Sequence, residues 1–264
     1  MDKVVRKALE LLEGARHVAV LTGAGMSAES GVPTFRDAQT GLWAKFDPQQ
    51  LATAEAFAES PSRVFGWYVS RLQTVRRATP HAGYDALVRM AALYPDGFDI
   101  ITQNVDGLHS RAGSENVVEL HGSLEAFRCS ACREVFSTDR VIELGEGDGE
   151  VSAPACGKCG NFIRPGVVWF GEMLPREVLE RATQVAYEAD VVLVIGTSSL
   201  VYPAAGLPDI VSARGGRVIE INPKATPLTP RVDLYWEAAA GEALPQLVDA
   251  LQRTEGGKTE GRND

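Results

Sequence analysis

Four short segments of this chain end in the same way: a run of apolar residues gives way abruptly to small or polar ones. Residues 16–21 (RHVAVL) lead into Thr22-Gly23-Ala24-Gly25, and residues 99–102 lead into Gln103-Asn104-Val105-Asp106. Residues 189–195 (ADVVLVI) run into Gly196-Thr197-Ser198, and residues 216–221 into Asn222-Pro223. Short, unbroken apolar runs are the mark of strands buried on both faces. Stretches with apolar residues at helical spacing lie between them, notably 81–92, 175–188 and 203–212. Strands alternating with helices predict an α/β fold, a Rossmann-like doubly wound parallel sheet with helices on both faces. Ligands on such sheets bind beyond the carboxyl ends of the strands. All four polar motifs fall there.

The remaining segments fit around this core. Residues 48–79 read as helical, broken at Pro61-Ser62, with Val64, Phe65, Tyr68 and Leu72 repeating at helical spacing. Residues 116–121 read as a strand ending on His121, 166–170 as extended, and 243–251 as a last helix. The tail 253–264 is polar and aperiodic, so it is expected to be disordered.

All four cysteines of the chain fall in two C-x-x-C pairs, Cys129/Cys132 and Cys156/Cys159. Each knuckle sets two thiolates on one side of a tetrahedron, and residues 133–155 between the pairs suit a four-cysteine zinc ribbon. Redox dithiols and structural disulfides are the alternatives. Two matched pairs argue against a single redox motif, and a cytosolic chain with no further cysteine argues against disulfides. One structural zinc per chain is expected, because four thiolates close the metal's shell.

The net charge of −9 speaks against a general nucleic-acid binder, which needs a basic surface to neutralise phosphates. It leaves room for lysine-rich partners, or it simply keeps the protein soluble. The longest apolar run, 191–195, is strand-sized and far short of a membrane span. Residues 1–13 carry Val4, Val5, Ala8, Leu11 and Leu12 among charges, an amphipathic helix rather than a signal peptide. A cytoplasmic location is the expectation.

Gly23-x-Gly25 follows a strand, but no glycine stands three residues later, so the ordinary dinucleotide fingerprint is absent. Its backbone amides suit a pyrophosphate, with Ala24 and Gly25 allowing close approach. A plain β–α turn explains the same three residues. On them alone both readings stand.

Residues 23–37 (GAGMSAESGVPTFRD), taken with Gln103-Asn104-Val105-Asp106 and His121-Gly122, resemble the signature of the sirtuins, the NAD-dependent protein lysine deacylases. The resemblance continues through both cysteine pairs, Gly171-Glu172, Gly196-Thr197-Ser198 and Ile221-Asn222-Pro223, in order from about residue 18 to 251. It implies that NAD is consumed as a cosubstrate: nicotinamide leaves while the acyl oxygen of an acylated lysine attacks the ribose. Pro33, Phe35 and Ile101 are expected to help form a dry pocket. By resemblance Asp106, with Val105 beside it, clamps the nicotinamide amide, Gln103 and Asn104 contact the ribose, and Arg36 lies near the phosphates. Gly196, Thr197, Ser198, Asn222 and Ala240 sit where the family holds the adenosine end. His121 is the expected general base, since an imidazole titrating near neutrality can take a ribose hydroxyl proton and return it. Asn104 is counted with it as catalytic. His17, His81 and His109 have no such context and read as structural or surface residues.

The segment Val167-Val168-Trp169-Phe170-Gly171 resembles the strand that pairs with substrate peptide by backbone hydrogen bonds. An ordinary core strand has the same pattern. Tyr68 and Arg71, three residues apart, share one helix face, and a phenol beside a guanidinium makes a carboxylate receptor. This Y-x-x-R resembles the sirtuins that remove succinyl and malonyl groups, where Ala52 matches a small residue that enlarges the acyl pocket. Acetyl-lysine is expected to remain a substrate, though a poorer one.

The resemblance implies an NAD-binding domain of residues 1–40, 82–124 and 166–252. A small domain would combine a helical insert, 41–81, with a zinc module, 125–165. The expected partners are acylated lysine segments of other proteins, with neither nucleic acid nor membrane, and the chain itself is expected to be a monomer. Two rivals are another NAD-consuming enzyme, such as an ADP-ribosyltransferase or NAD hydrolase, and a non-catalytic adaptor. The adaptor is disfavoured because only Arg133, Arg140 and Lys158 are basic between Cys129 and Cys159.

Overall fold

The computed structural model describes residues 2–33, 48–145 and 151–260. Its helices in chain order are α1 (Lys3–Leu12), α2 (Pro48–Leu51), α3 (Ala54–Glu59), α4 (Pro61–Arg77), α5 (Ala82–Ala91) and α6 (Leu108–Arg111). After these come α7 (Thr138–Gly145), α8 (Arg176–Glu188), α9 (Leu207–Ala213) and α10 (Ala240–Glu260). The strands are β1 (Val18–Thr22), β2 (Phe98–Thr102), β3 (Val117–Glu119), β4 (Gly122–Cys129), β5 (Val135–Phe136), β6 (Ile163–Val167), β7 (Val191–Ile195), β8 (Arg217–Ile221) and β9 (Leu234–Trp236).

Six strands form one parallel sheet in the order β3-β2-β1-β7-β8-β9. The chain builds outward from β1 to β3, then crosses back to add β7, β8 and β9 on the other side. Val18 lies opposite both Phe98 and Val191, so the strand order reverses at β1. A crevice at such a reversal is where open α/β sheets bind ligands. Alternate residues of the central strands enter separate cores. Val18 and Val20 join Leu193 and Ile219 on one face, while Ala19 and Leu21 join Val192, Val194 and Val218 on the other. Residues of α1, α5 and α10 cover the first core, and those of α8 and α9 the second. Two-sided cover is why these strands read as unbroken apolar runs.

The register also levels the strand ends. Thr22 pairs with Thr102 and Ile195, and Ile195 with Ile221. The four polar motifs therefore emerge in one row.

A second, antiparallel sheet, β5-β4-β6, carries Cys129 at the end of β4. Helix α4 packs on it, with Phe65 and Phe127 edge to face at 5.8 Å. Val64, Phe65, Phe127, Cys129 and Val141 belong to the same apolar cluster as the first face of the large sheet. The small elements are thus continuous with the main core.

Some elements differ from the expected pattern. Strand β3 stops at Glu119, leaving His121 in the turn before β4. Strand β6 covers Ile163–Val167, and beyond it Phe170 lies in an isolated parallel bridge to Thr53 rather than in a strand. The last helix is not confined to 243–251: α10 runs from Ala240 to Glu260, through most of the tail expected to be disordered. Gln252, Arg253 and Glu255 are good helix formers, and a packed helix propagates through polar residues more readily than it nucleates among them.

Candidate active site

The row of strand ends is bound together by its own loops. Gly25 N donates to Gly196 O at 2.8 Å, and Gly23 N donates to Ile195 O at 3.0 Å. A Cβ on Gly25 would stand 2.7 Å from Gly196 O, and one on Gly23 2.8 Å from Thr197 Cα. Gly196 also has φ +59°, and its Cβ would meet Met26 N at 2.4 Å. The glycines of this loop are thus required by contact between the loops after β1 and β7. The amides of Gly23 and Gly25 are spent inside the protein.

Beyond Gly23 the chain turns through a 3-10 helix, Ala24–Ser30, which buries Ser27. The Ser27 hydroxyl is the centre of a polar hub. It donates to Asp106 Oδ2 at 2.6 Å and accepts from Asn104 Nδ2 at 3.0 Å and from the Tyr84 hydroxyl at 2.9 Å. Asn104 Nδ2 also donates to Gly23 O at 3.0 Å, and since a carbonyl can only accept, this fixes the orientation of the amide. Asp106 Oδ1 accepts from Leu108 N at 2.9 Å at the start of α6. Burial pushes the Asp106 carboxyl upward, against its two hydrogen bonds and the charges of Arg71 and Arg111. Ala24, Ser27, Val32, Pro33, Arg71, Asn104, Val105 and Asp106 line one small pocket. Ile101, expected there, is absent from that lining. It is buried in the core on the other face of the sheet with Leu21 and Leu120, because strand alternation turns it away.

Gln103 precedes Asn104 of that lining, and His121 is bonded to Gln103. His121 Nδ1 lies 2.9 Å from Gln103 O, which can only accept, so Nδ1 carries the hydrogen and Nε2 keeps its lone pair. Burial lowers the imidazole's pKa, the bond to Gln103 opposing it. The ring is therefore a neutral base with its acceptor nitrogen unspent by that bond. Gln103 Nε2 donates to Thr197 Oγ1 at 2.9 Å, and Asn222 Nδ2 donates to Thr197 O at 2.7 Å. This chain of bonds joins the ends of β2, β7 and β8. Ser198 follows Thr197, half-buried. Ala240 is buried at the start of α10, where Gly241 N donates to Glu29 Oε2 at 2.7 Å and ties that helix to the loop after β1.

Two of the other histidines bond within the fold near these loops. His81 caps α5 and bonds Met26 O through Nε2 at 2.7 Å. His109 is buried beside Thr22 Oγ1 at 3.0 Å, and burial holds it down to about 4.

The residues expected at the substrate side come together as well. Val168 N donates to His121 O at 2.8 Å, and Phe170 N donates to Ala52 O at 2.9 Å. The segment from Val167 to Gly171 thus threads between the histidine turn and the start of α3, with Val167 buried, Phe170 half exposed and Gly171 at φ +83°. Tyr68 is buried, and its hydroxyl accepts from Trp169 Nε1 at 2.9 Å. Burial pushes that phenol up to about 12. Arg71, one turn along α4, lies over the Trp67 ring and reaches the pocket that holds Asp106. Burial lowers its pKa, the phenol and Asp106 opposing. Phe35 and Arg36 lie outside the described residues.

The four cysteine sulfurs lie within 4.8 Å of one another, with Cys129–Cys159 at 3.4 Å, Cys132–Cys159 at 3.5 Å and Cys132–Cys156 at 3.7 Å. Four thiolates at zinc–sulfur distances of about 2.3 Å span tetrahedral edges of roughly 3.8 Å. The amides of Ala131 and Cys132 point at Cys129 Sγ, both at 3.4 Å. The cluster fits one structural zinc.

Sequence reasoning missed Ser27 and Tyr84 as parts of the site. The only signal for Ser27 was its place in the glycine-rich loop; Tyr84 reads as an ordinary core residue of an amphipathic helix.

The fold is thus a Rossmann-type parallel sheet with a buried histidine beside its strand ends and a tetrathiol module on a second, smaller sheet. The model of the Sir2 family matches residues 23–203, and the chain belongs to that family. NAD-dependent protein deacylase 1 of Archaeoglobus fulgidus is 47% identical over 250 residues, spanning 94% of this chain and 98% of its own. A mutant Sir2 homologue solved in complex with ADP-ribose matches at a TM-score of 0.88 and 44% identity, covering 97% of this chain and 98% of that one. A Sir2 homologue solved with NAD matches at a TM-score of 0.85 and 45% identity, covering 96% and 95%.

Proposed function

We propose that this chain is an NAD-dependent protein lysine deacylase that removes succinyl and malonyl groups as well as acetyl groups, releasing nicotinamide and an O-acyl-ADP-ribose. Family membership carries the reaction class. The acyl preference rests on one observation: Arg71 lines the same pocket as Asn104 and Asp106, with Tyr68 one turn before it on α4. A guanidinium and a phenol at the far end of an acyl pocket offer a carboxylate both charge and directed hydrogen bonds.

NAD, when bound, supplies the ribose carbon that loses nicotinamide and bonds the acyl oxygen. Asp106 and Val105 hold the nicotinamide end, Gln103 and Asn104 the adjoining ribose, and Gly196, Thr197, Ser198, Asn222 and Ala240 the adenosine end. Gly23, Ala24, Gly25, Phe35 and Arg36 belong to the stretch over the phosphates and the pocket. His121 Nε2 takes a proton from a ribose hydroxyl, its ring held by the bond from Nδ1 to Gln103 O. Val167, Val168, Phe170 and Gly171 run beside the substrate peptide, and Ala52 leaves room for the acyl chain. The two lobes follow the division at residues 40, 81, 124 and 165, in a cytoplasmic monomer.

The test is mass spectrometry of matched acetyl- and succinyl-lysine peptides incubated with and without NAD, alongside Arg71→Met. Loss of the succinyl group that depends on NAD and is selectively impaired in the variant supports the reading. Acetyl removal alone leaves a deacylase without the carboxylate receptor. Nicotinamide release without acyl loss moves the assignment to ADP-ribosyl transfer or NAD hydrolysis.

A further inference from the structure

We infer that Trp169 is a positioning residue for acyl selectivity, its indole holding the Tyr68 hydroxyl so that the phenol's single hydrogen is left for an acyl carboxylate. This rests on the reading of Tyr68 and Arg71 as a carboxylate receptor. An indole N–H can only donate. Trp169 Nε1 stands 2.9 Å from the Tyr68 oxygen, which therefore accepts, and the phenol's own hydrogen must point elsewhere. The neighbouring Arg71 and Arg164 guanidinium groups have no acceptor to take it. Both oxygens of Glu172 are already engaged, by Arg164 and by Trp169 N. Among the described residues Trp169 Nε1 is thus the hydrogen-bond partner of the Tyr68 hydroxyl, and the buried phenol keeps one donor.

The indole itself is clamped. Arg164 Cζ lies 3.4 Å from the Trp169 ring centroid. That guanidinium is held by Glu172 at 2.6 and 2.9 Å and by Val167 O at 3.0 Å. Glu172 Oε2 also accepts Trp169 N–H at 2.9 Å, and the Phe57 ring packs at 5.3 Å on the indole. A buried ion pair is weak evidence of added stability. Here both of its members bind one residue, whose ring N–H then sets the orientation of a receptor hydroxyl.

The test is Trp169→Phe, which keeps an aromatic ring in the slot and deletes the N–H. The ratio of succinyl to acetyl kcat/KM should fall about three- to tenfold, since the phenol loses its preset direction rather than its hydrogen. In a Tyr68→Phe background the same substitution should leave the ratio where Tyr68→Phe alone puts it. Equal losses on both peptides, or a further drop in that background, overturn the inference. If Tyr68→Phe and Arg71→Met leave the ratio unchanged, the receptor reading fails and the inference falls with it. If both lower the ratio and Trp169→Phe does not, the inference alone is overturned. A second measurement avoids the Trp169 variant: the Trp169 indole N–H resonance should shift and exchange faster with solvent in Tyr68→Phe, and an unmoved resonance overturns the inference.

Discussion

Ser27→Ala probes the hub that joins Asp106, Asn104 and Tyr84. Ser27 is 1% exposed, and its hydroxyl serves Asp106, Asn104 and Tyr84 at 2.6, 3.0 and 2.9 Å. Alanine leaves a carboxylate oxygen, an amide hydrogen and a phenol hydrogen without these partners in a closed region. Each buried polar group left unsatisfied costs about 1–3 kcal/mol. Asn104 keeps Gly23 O as an acceptor, and rotation of the Tyr84 hydroxyl recovers part of the rest. A net loss of about 3 kcal/mol follows, which for a chain of this size lowers Tm by roughly 6–12 °C. The effect also has a pH signature. Asp106 already titrates above its ordinary 3.8, so the folded state retains a proton that the unfolded chain gives up. Stability from this source is present below 3.8 and is lost as pH rises through the folded value. The Ser27 hydroxyl holds that value down, so its removal drives it further up and widens the deficit at higher pH. Differential scanning calorimetry at pH 5 and pH 8 should therefore show the larger drop at pH 8. A shift under about 2 °C, or a larger one at pH 5, refutes the account of the hub.

The His121 imidazole sits below its ordinary 6.5, and a base must be unprotonated to act. The pH profile of kcat/KM should therefore fall only on the acid side, with a midpoint below 6.5, and run flat through neutrality; a midpoint above 6.5 contradicts this. His121→Ala should lower kcat by roughly 10²–10⁴ while NAD still binds by calorimetry, and an unchanged rate would remove His121 from the mechanism. Stripping metal with a strong chelator should unfold the β4–β6 module and abolish turnover, read by circular dichroism and activity. Full activity in metal-free protein would sink the structural zinc.

What the sequence made legible was local or periodic. The cysteine quartet declares itself because each knuckle is complete within four residues, and the strand ends because burial on both faces leaves apolar runs that stop at the ligand edge. What stayed hidden depends on distance along the chain. Tyr68 and Trp169 meet across 101 residues, and Ser27 reaches Asp106 across 79. A serine in a glycine-rich loop reads as solvated until the 3-10 turn buries it. Gly25 and Gly196 suit a phosphate cradle by type, yet the space they leave is filled by each other's backbone. Ile101 adjoins the site in sequence but strand alternation sends it to the opposite core. Strand β9, only three residues long, gave no period to detect.

Arg111 links α4 to α6. Arg111, at the end of α6, donates to Val75 O at 2.8 Å in the last turn of α4 and to Ala78 O at 2.6 Å just past it. The first residue of α6 is in turn held through Leu108 N by Asp106 at 2.9 Å. The helix that bears Tyr68 and Arg71 is thus fastened to the loop that bears Asp106. Arg76 adds a two-pronged pair to Glu125 on β4, but it is half exposed and contributes little. Arg71 and Asp106 are thereby held in one frame at the end of β2. The cysteine cluster adds to the same frame, because Cys129 ends β4, against which α4 packs.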